Sequence, residues 1–183
     1  MAQAPTLCDF DIALSHVDRG LDERASVRTA RHPSETMDRV YLRVLAHCFF
    51  REERLAFGSG LSDPGSPDLE LRDLTGDLKL WVRVGKSEPR ALQKAIDQHG
   101  RARVAVLFES PRRMNELLEA ARAEKLTRLS RAELYAIDPA LIAALAQSEE
   151  RRAKLSVTIV GDHFYIERDG VSMDGPLTRG ALY

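Results

Sequence analysis

Seven residues of this chain have types and spacings that could do chemistry: Glu35, Asp77, Lys79, Trp81, Arg83, Arg90 and Lys94. Four of them lie on one stretch, Asp77-Leu78-Lys79-Leu80-Trp81-Val82-Arg83-Val84-Gly85. Its alternation predicts a half-buried strand with Leu78, Leu80, Val82 and Val84 on the apolar face. The other face lines up an acid, two bases and the only tryptophan of the chain. A face of that kind is an active-site floor or a charged binding surface. Arg90 and Lys94 stand four apart, on one side of the helix that follows, and could overlook the strand.

Three chemistries fit these residues. In the first, Lys79, Arg83, Arg90 and Lys94 hold a phosphate backbone while Trp81 stacks on a base, so the partner is nucleic acid or another phosphate-bearing ligand. In the second, Glu35 at a helix start and Asp77 at a strand start hold a divalent cation such as Mg²⁺ that activates water at a phosphodiester, with Lys79 or Lys94 near the water. Two features oppose this: helix geometry directs Glu35 away from the apolar stripe behind it, and Lys79 and Arg83 compete with a cation. In the third, the charges pair internally, Asp77 with Lys79 and Arg83 with Glu35 or Glu109, and the chain is a protein-interaction module. Plainer roles stand beside all three: a first-turn acid for Glu35, a turn for Asp77, solvated helix positions for Arg90 and Lys94, and packing under a covering helix for Trp81.

Other chemistries find no support. His16, His32, His47, His99 and His163 have no metal-ligand spacing among themselves or with Cys8 and Cys48, so no metal site is expected from them. No glycine-rich phosphate loop follows a strand. Ser110 follows a strand but lacks the flanking glycines of a nucleophile elbow, and reads as a helix cap. No cofactor is expected, Mg²⁺ entering only under the phosphodiesterase reading.

The chain has 183 residues, enough for one domain with a substantial core, read here as a single domain over 1–183. No apolar run approaches membrane-spanning length, and the N-terminal residues lack the pattern of a signal peptide. Two distant cysteines suggest reduced, buried thiols in a cytoplasm. Net charge is −1, unevenly spread. Residues 1–78 carry 9 Lys/Arg against 14 Asp/Glu, 79–131 carry 13 against 6, and 132–183 carry 5 against 8. The middle third, at +7, is basic within a near-neutral protein.

The elements that must position these residues read as follows. Thr6 to Val17 and Ala25 to Ala30 form an opening β-hairpin around Asp18-Arg19-Gly20. Pro33, Ser34 and Glu35 start a helix with Met37, Val40, Tyr41, Val44, Leu45 and Cys48 as its stripe, running to about Arg54. Residues 58–67 form a loop beside the strand at 77–84, a candidate flap. Helices then open at Ser87-Glu88-Pro89, Ser110-Pro111 and Asp138-Pro139. Strands are expected at 103–108 and 133–137, the first covered on both faces. A closing hairpin spans 155–167. Strands alternating with helices predict an α/β domain whose central mixed β-sheet is flanked by helices, parallel in the middle and antiparallel at the ends.

Several runs together carry a family resemblance. Ala30-Arg31-His32-Pro33-Ser34-Glu35-Thr36, with Arg39 and Leu42-Arg43, resembles the helix-opening signature of the YaeQ proteins of bacteria. So do Glu53-Arg54-Leu55-Ala56-Phe57 with Gly60-Leu61, Gly76-Asp77 with Leu80-Trp81 and Gly85, Arg90 with Lys94-Ala95, and Val157-Thr158-Ile159 through Asp162. The likeness runs in order along the whole chain, though 100–150 matches only in pattern. It implies a fold resembling a variant of the PD-(D/E)XK nucleases, restriction-endonuclease-like, in which strands present acids, a helix adds a Glu and a Lys positions water. No biochemical activity is firmly attached to the family. Its members usually carry Asp or Glu where this chain has Lys79 and Arg83. That sign reversal implies a nuclease-type metal site that has been lost, leaving Glu35, Asp77 and Lys94 as a degenerate catalytic set.

Overall fold

The computed structural model describes residues 1, 3–59 and 65–183. Among them ten strands, β1 (Thr6–His16), β2 (Leu21–Arg31), β3 (Ala56–Phe57), β4 (Leu69–Arg72), β5 (Leu78–Val84), β6 (Arg103–Phe108), β7 (Glu133–Ile137), β8 (Arg152–Val160), β9 (His163–Arg168) and β10 (Val171–Gly180), form one sheet. Its order is β2-β1-β8-β9-β10-β7-β6-β5-β4-β3. The α-helices among the described residues are α1 (Met37–Phe49), α2 (Pro89–Gln98), α3 (Pro111–Ala123) and α4 (Pro139–Ala146). Among the described residues no helix is long and apolar enough to cross a membrane.

The sheet is mixed, large and nearly closed, barrel-like in its curvature. β5, β6 and β7 run parallel, joined by α2 and α3, and β1 runs parallel to β8; the other neighbours are antiparallel. Antiparallel pairing therefore also occupies the middle of the sheet, between its two parallel groups, where the sequence predicted it only at the ends. The loop expected over 58–67 falls partly outside the described residues.

Helix α1 lies within the curve. Val40 through Cys48 are buried without interruption, including Arg43 and His47. A stripe of apolar residues is enough for a helix lying on a sheet. A helix wrapped by a sheet on most sides buries its polar face as well. The main core accordingly joins α1 and α4 to residues of strands at both ends of the sheet, from Phe10 and Val27 to Leu69 and Val82.

A second core lies on the opposite face of β5-β6-β7. Leu92, Ala95 and Ile96 of α2 and Met114, Leu117, Leu118 and Ala121 of α3 pack there on Val104, Val106, Leu134 and Trp81. Strand β5 is thus buried on both faces: Leu80, Val82 and Val84 enter the main core and Trp81 the second. The half-buried strand with an open polar face is corrected by this packing. Parallel strands joined by helical crossovers are covered on both sides, and α2 supplies the cover.

Local signals explain the helix ends. Asp138 and Ser110 cap α4 and α3 by accepting from Ala140 N and Arg113 N at 3.1 and 3.2 Å, each followed by proline at the first helical position. Helix α1 starts later than its proline suggests, after Thr36 in extended backbone. His32-Pro33-Ser34-Glu35 is a turn instead, closed by Glu35 N donating to His32 O at 2.8 Å.

Candidate functional site: a buried carboxylate–arginine cluster

Because Glu35 precedes the helix, its side chain is free to fold back over the first turns of α1. It is 4% exposed. Oε1 accepts from Arg39 Nη1 at 3.0 Å and Arg43 Nε at 2.9 Å. Oε2 accepts from Arg43 Nη2 at 2.8 Å and His32 N at 3.1 Å. A carboxylate has about four acceptor positions, and all are used. The expectation that Glu35 points away from the apolar stripe is corrected: Glu35 lies ahead of α1 and folds back onto Arg39 and Arg43, which share one side of the helix at a spacing of four.

The cluster continues to the sheet. Arg39 Nη2 reaches Asp68 Oδ1 at 2.6 Å, and Asp68 Oδ2 accepts from Val84 N at 2.8 Å at the end of β5. Asp68 is 1% exposed. Arg43 completes its fork on Thr29 Oγ1 and on Ala30 O, at 2.9 Å for the latter. Arg31 ties the turn down through Glu35 O at 2.8 Å and reaches outward to Glu149 at 2.7 Å. Two acids and two guanidiniums balance in charge, and each is met by several hydrogen bonds, the condition for burying ions. A divalent cation at Glu35 would have to displace both arginines. Among the described residues no group of three or more His, Cys, Asp or Glu could hold a metal ion.

The other sequence-predicted residues are distributed around this cluster rather than gathered on it. Asp77 sits in the turn before β5, at the far end of that strand from Val84. Seven strand residues at ~3.3 Å each put the two ends roughly 20 Å apart, so Glu35 and Asp77 do not share a ligand. Lys79 pairs with Asp73 at 3.0 Å, not with Asp77. Asp73 organises the turn, accepting from Thr75 N at 2.9 Å, Thr75 Oγ1 at 2.6 Å and Asp77 N at 3.0 Å. The Thr75 hydroxyl, then Lys79, hold its carboxyl well below the usual carboxylate range. Trp81 is 4% exposed under α2, so it offers no ring face for a base. Arg83 Nη1 donates to Ser66 O at 3.0 Å.

Arg90 and Lys94 do share a helix side, as their spacing predicts, but it is the outer side of α2. With Gln93, Asp97, Gln98 and Leu126 they line a groove of about 470 Å³. Arg90 is engaged by Glu124 at 2.5 Å, whereas Lys94 has no partner among the described residues. The pairs Arg83–Glu35 and Arg83–Glu109 are replaced by Glu35 with Arg39 and Arg43, and by Glu109 with Arg113 at 3.5 Å.

Sequence reasoning missed Arg39, Arg43, Asp68 and Asp73. A signal for the first two was present. Glu35, Arg39 and Arg43 stand at i, i+4 and i+8, and Arg43 interrupts an otherwise apolar run, Val40-Tyr41-Leu42 before it and Val44-Leu45-Ala46 after. A charge enclosed by apolar neighbours needs an opposite charge. Asp68 had no such signal, since nothing in the sequence showed that β4 lies beside β5.

The sequence model of the YaeQ protein family matches residues 1–175. The chain belongs to the YaeQ family. It is 28% identical over 178 residues to the uncharacterized protein YaeQ of Escherichia coli (strain K12), covering 97% of each chain. It is 30% identical over 159 residues to that of Salmonella typhi, covering 87% of this chain and 86% of the other. Among solved structures, the YaeQ protein from Xanthomonas axonopodis pv. citri superposes with a TM-score of 0.85 at 28% identity, covering 97% of this chain and 98% of that one. The YaeQ protein from Pseudomonas syringae superposes at 0.83 with 26% identity and 98% coverage of both. The resemblance read from the His32-Pro33-Ser34-Glu35-Thr36 run is therefore a family relationship.

Proposed function

We propose that this YaeQ-family chain is a non-catalytic binder of phosphate groups, nucleic acid foremost, built on a nuclease-like frame. The observation that carries the proposal is the placement of the basic third. Its 13 Lys/Arg and 6 Asp/Glu fall on β5, α2, β6, α3, the 3-10 turn Thr127–Arg131 and the segments that join them. Both helices pack on one face of the sheet, and Arg90, Lys94, Arg112, Arg113, Arg122, Lys125, Arg128 and Arg131 are exposed there. Arg90, Arg112, Arg113 and Arg128 pair there with Glu124, Glu116, Glu109 and Asp97, and the positive excess that remains in this layer attracts a phosphate backbone through counterion release. The Lys94 groove is its best-formed part.

The nuclease-like element of the proposal draws support from the family resemblance, which implies acids presented by strands and a Glu added by a helix. The two buried acids nearest to that description, Glu35 and Asp68, are engaged by Arg39 and Arg43. For that reason we propose binding without cleavage. The test is fluorescence anisotropy of labelled single- and double-stranded oligonucleotides across a salt series. Binding should weaken steeply with salt, and Arg90→Glu with Lys94→Glu should lower both the affinity and the salt slope. Absence of binding at low salt, or affinity unchanged in the double variant, overturns the reading.

The rival, a Mg²⁺-dependent phosphodiesterase using Glu35 and Asp77 with Lys79 or Lys94 near the water, requires those residues to move together from opposite ends of β5. Calorimetric titration with millimolar Mg²⁺ separates the two readings. Heat of binding that Asp77→Ala abolishes would support the enzyme, and no heat would remove it.

A further inference from the structure

The two edges of the sheet are unlike. One is β3, two residues long, which gives another chain little to pair with. The other is β2, eleven residues that pair with β1 in unbroken register and contain no proline. Among the described residues no strand lies on its other side. A long, regular edge of this kind is a template for a further strand unless something shields it.

The register shows which backbone groups are open. Asp9 N donates to Arg151 O at 2.7 Å, on the β8 side of β1. Successive residues of a strand turn their backbone groups to opposite sides, so Phe10 and Ile12 face β2 and hydrogen-bond there with Val27 and Ala25. The alternate residues of β2, Asp22, Arg24, Ser26 and Arg28, turn N–H and C=O away from β1. Ala30, the next of that set, agrees: its carbonyl accepts from Arg43 Nη2 of α1 at 2.9 Å. The shield thus covers the Ala30 end and leaves the four residues before it open. Their side chains are exposed on the outer face of the sheet.

Charge decides what can pair with this edge. A second copy of the strand, turned about a two-fold axis normal to the sheet at Ala25, sets Asp22 opposite Arg28 and Arg24 opposite Ser26, on both sides of the axis. All the open residues are then used, with about eight backbone hydrogen bonds, two for each directly opposed pair. Arg28 gives Nε to Asp9 at 2.6 Å, which leaves its two terminal nitrogens for a second carboxylate. Asp22 and Arg24 have no side-chain partner among the described residues. Ser26 donates to Asp11 at 3.0 Å, so the Arg24 opposed to it has an acid one strand further in. Sliding the copies by two residues either way sets Arg24 against Arg28 or against itself, and like charges directly opposite are unfavourable. Sliding by one residue turns the outer face of one copy inward.

We propose that β2 pairs antiparallel with the β2 of a second copy of this chain, about an axis at Ala25, to form a homodimer with one continuous sheet. The interface is isologous, as a two-fold dimer requires. Backbone bonds supply the affinity and the charges select the register, since exposed ion pairs are individually weak. The edge is separate from the basic layer on α2 and α3, so dimer formation and phosphate binding succeed or fail independently.

The test is light scattering on the full-length protein over a concentration series, with a mass rising to about twice 20.5 kDa as the expected result. Ser26→Pro removes an N–H that faces away from β1, a place where proline is tolerated. It should leave the protein monomeric with its circular dichroism unchanged. Asp22→Arg, at an exposed position, should weaken the dimer about tenfold through its two symmetry-related pairs. Ala25→Cys places a thiol opposite its own copy in a non-hydrogen-bonded pair, where side chains come closest. Mild oxidation should link that variant into a dimer, the native Cys8 and Cys48 being buried. Ser26→Cys, which lies off the axis, should cross-link far more slowly. A monomer at every concentration, a dimer unaffected by Ser26→Pro or Asp22→Arg, or cross-linking of Ser26→Cys as fast as that of Ala25→Cys overturns the proposal.

Discussion

Arg43 grips both oxygens of Glu35, Nε to Oε1 at 2.9 Å and Nη2 to Oε2 at 2.8 Å, in a place where both side chains are about nineteen-twentieths enclosed. The pair joins the turn before α1 to the middle of that helix, and Arg39 extends it to Asp68 and the end of β5. Replacing Glu35 by Gln keeps the shape and leaves the buried guanidinium of Arg43 without its counter-charge. Breaking one half of such a pair costs about 3–5 kcal/mol. Urea denaturation should show a loss of that order for Glu35→Gln. Arg43→Met combined with Glu35→Gln should lose less than the sum of the two single changes, because the second substitution removes the orphaned charge. Additive losses would mean that the pair is not coupled.

A second prediction concerns how Asp68 is delivered to the cluster. Gly58 donates to Asp68 O at 2.8 Å, and a Cβ built on Gly58 would lie 2.2 Å from Pro67 O. That oxygen belongs to the backbone and has no rotamer by which to yield. Gly58→Ala should therefore displace the strand entering β4 and destabilise the protein by at least about 2 kcal/mol, at the upper end of ordinary substitutions. Gly100, whose added Cβ would meet nothing within 4 Å, gives the control. Equal melting temperatures for Gly58→Ala and Gly100→Ala would refute the close approach.

The sequence made the helices and the parallel group legible because those elements are long and periodic. Pro89, Pro111 and Pro139 mark helix starts directly, and Arg103–Phe108 reads as a strand buried on both faces. Strand β3 at Ala56–Phe57 and β4 at Leu69–Arg72 are too short to show a period of two, and β10 carries Gly175 and Pro176, which mimic a loop. Missing β4 hid Asp68. The polar face of β5 misled for a different reason: whether Trp81 looks at water depends on where the next helix returns, a tertiary fact that alternation cannot encode. The direction of Glu35 is misjudged for another reason: helix geometry does not apply to a residue that lies outside the helix.

The burial of Trp81 gives a spectroscopic prediction. Its indole Nε1 is enclosed and has no hydrogen-bond partner. The chain has no other tryptophan, so its fluorescence reports this one ring. The emission should be blue-shifted, resistant to iodide quenching, and unchanged when an oligonucleotide binds. Trp81→Phe removes an unsatisfied donor together with part of the ring volume, two effects of opposite sign. The net loss should stay below the ~3–5 kcal/mol that deleting a large buried aromatic side chain costs. Quenching of the native protein by iodide would show that the ring is open to solvent.

The last prediction is a pH dependence set by His47. This residue is buried on α1, with its ring stacked on Phe57 at a centroid distance of 5.3 Å. Burial, and secondarily Arg51, lower its pKa from 6.5 to about 4, with Glu23 opposing. The unfolded chain therefore takes up a proton on this imidazole as pH falls below 6.5, while the folded chain resists until about pH 4. Stability rises with pH wherever the unfolded state binds more protons. The contribution is complete above the unfolded pKa and declines as pH falls through the window between the two values. For a shift of that size it amounts to about 3 kcal/mol. Urea midpoints measured at pH 7.5 and 4.5 should fall less in His47→Phe than in the parent protein. The difference between the two slopes isolates His47 from the carboxylates, which titrate in both. Equal slopes would place the ring of His47 in contact with water.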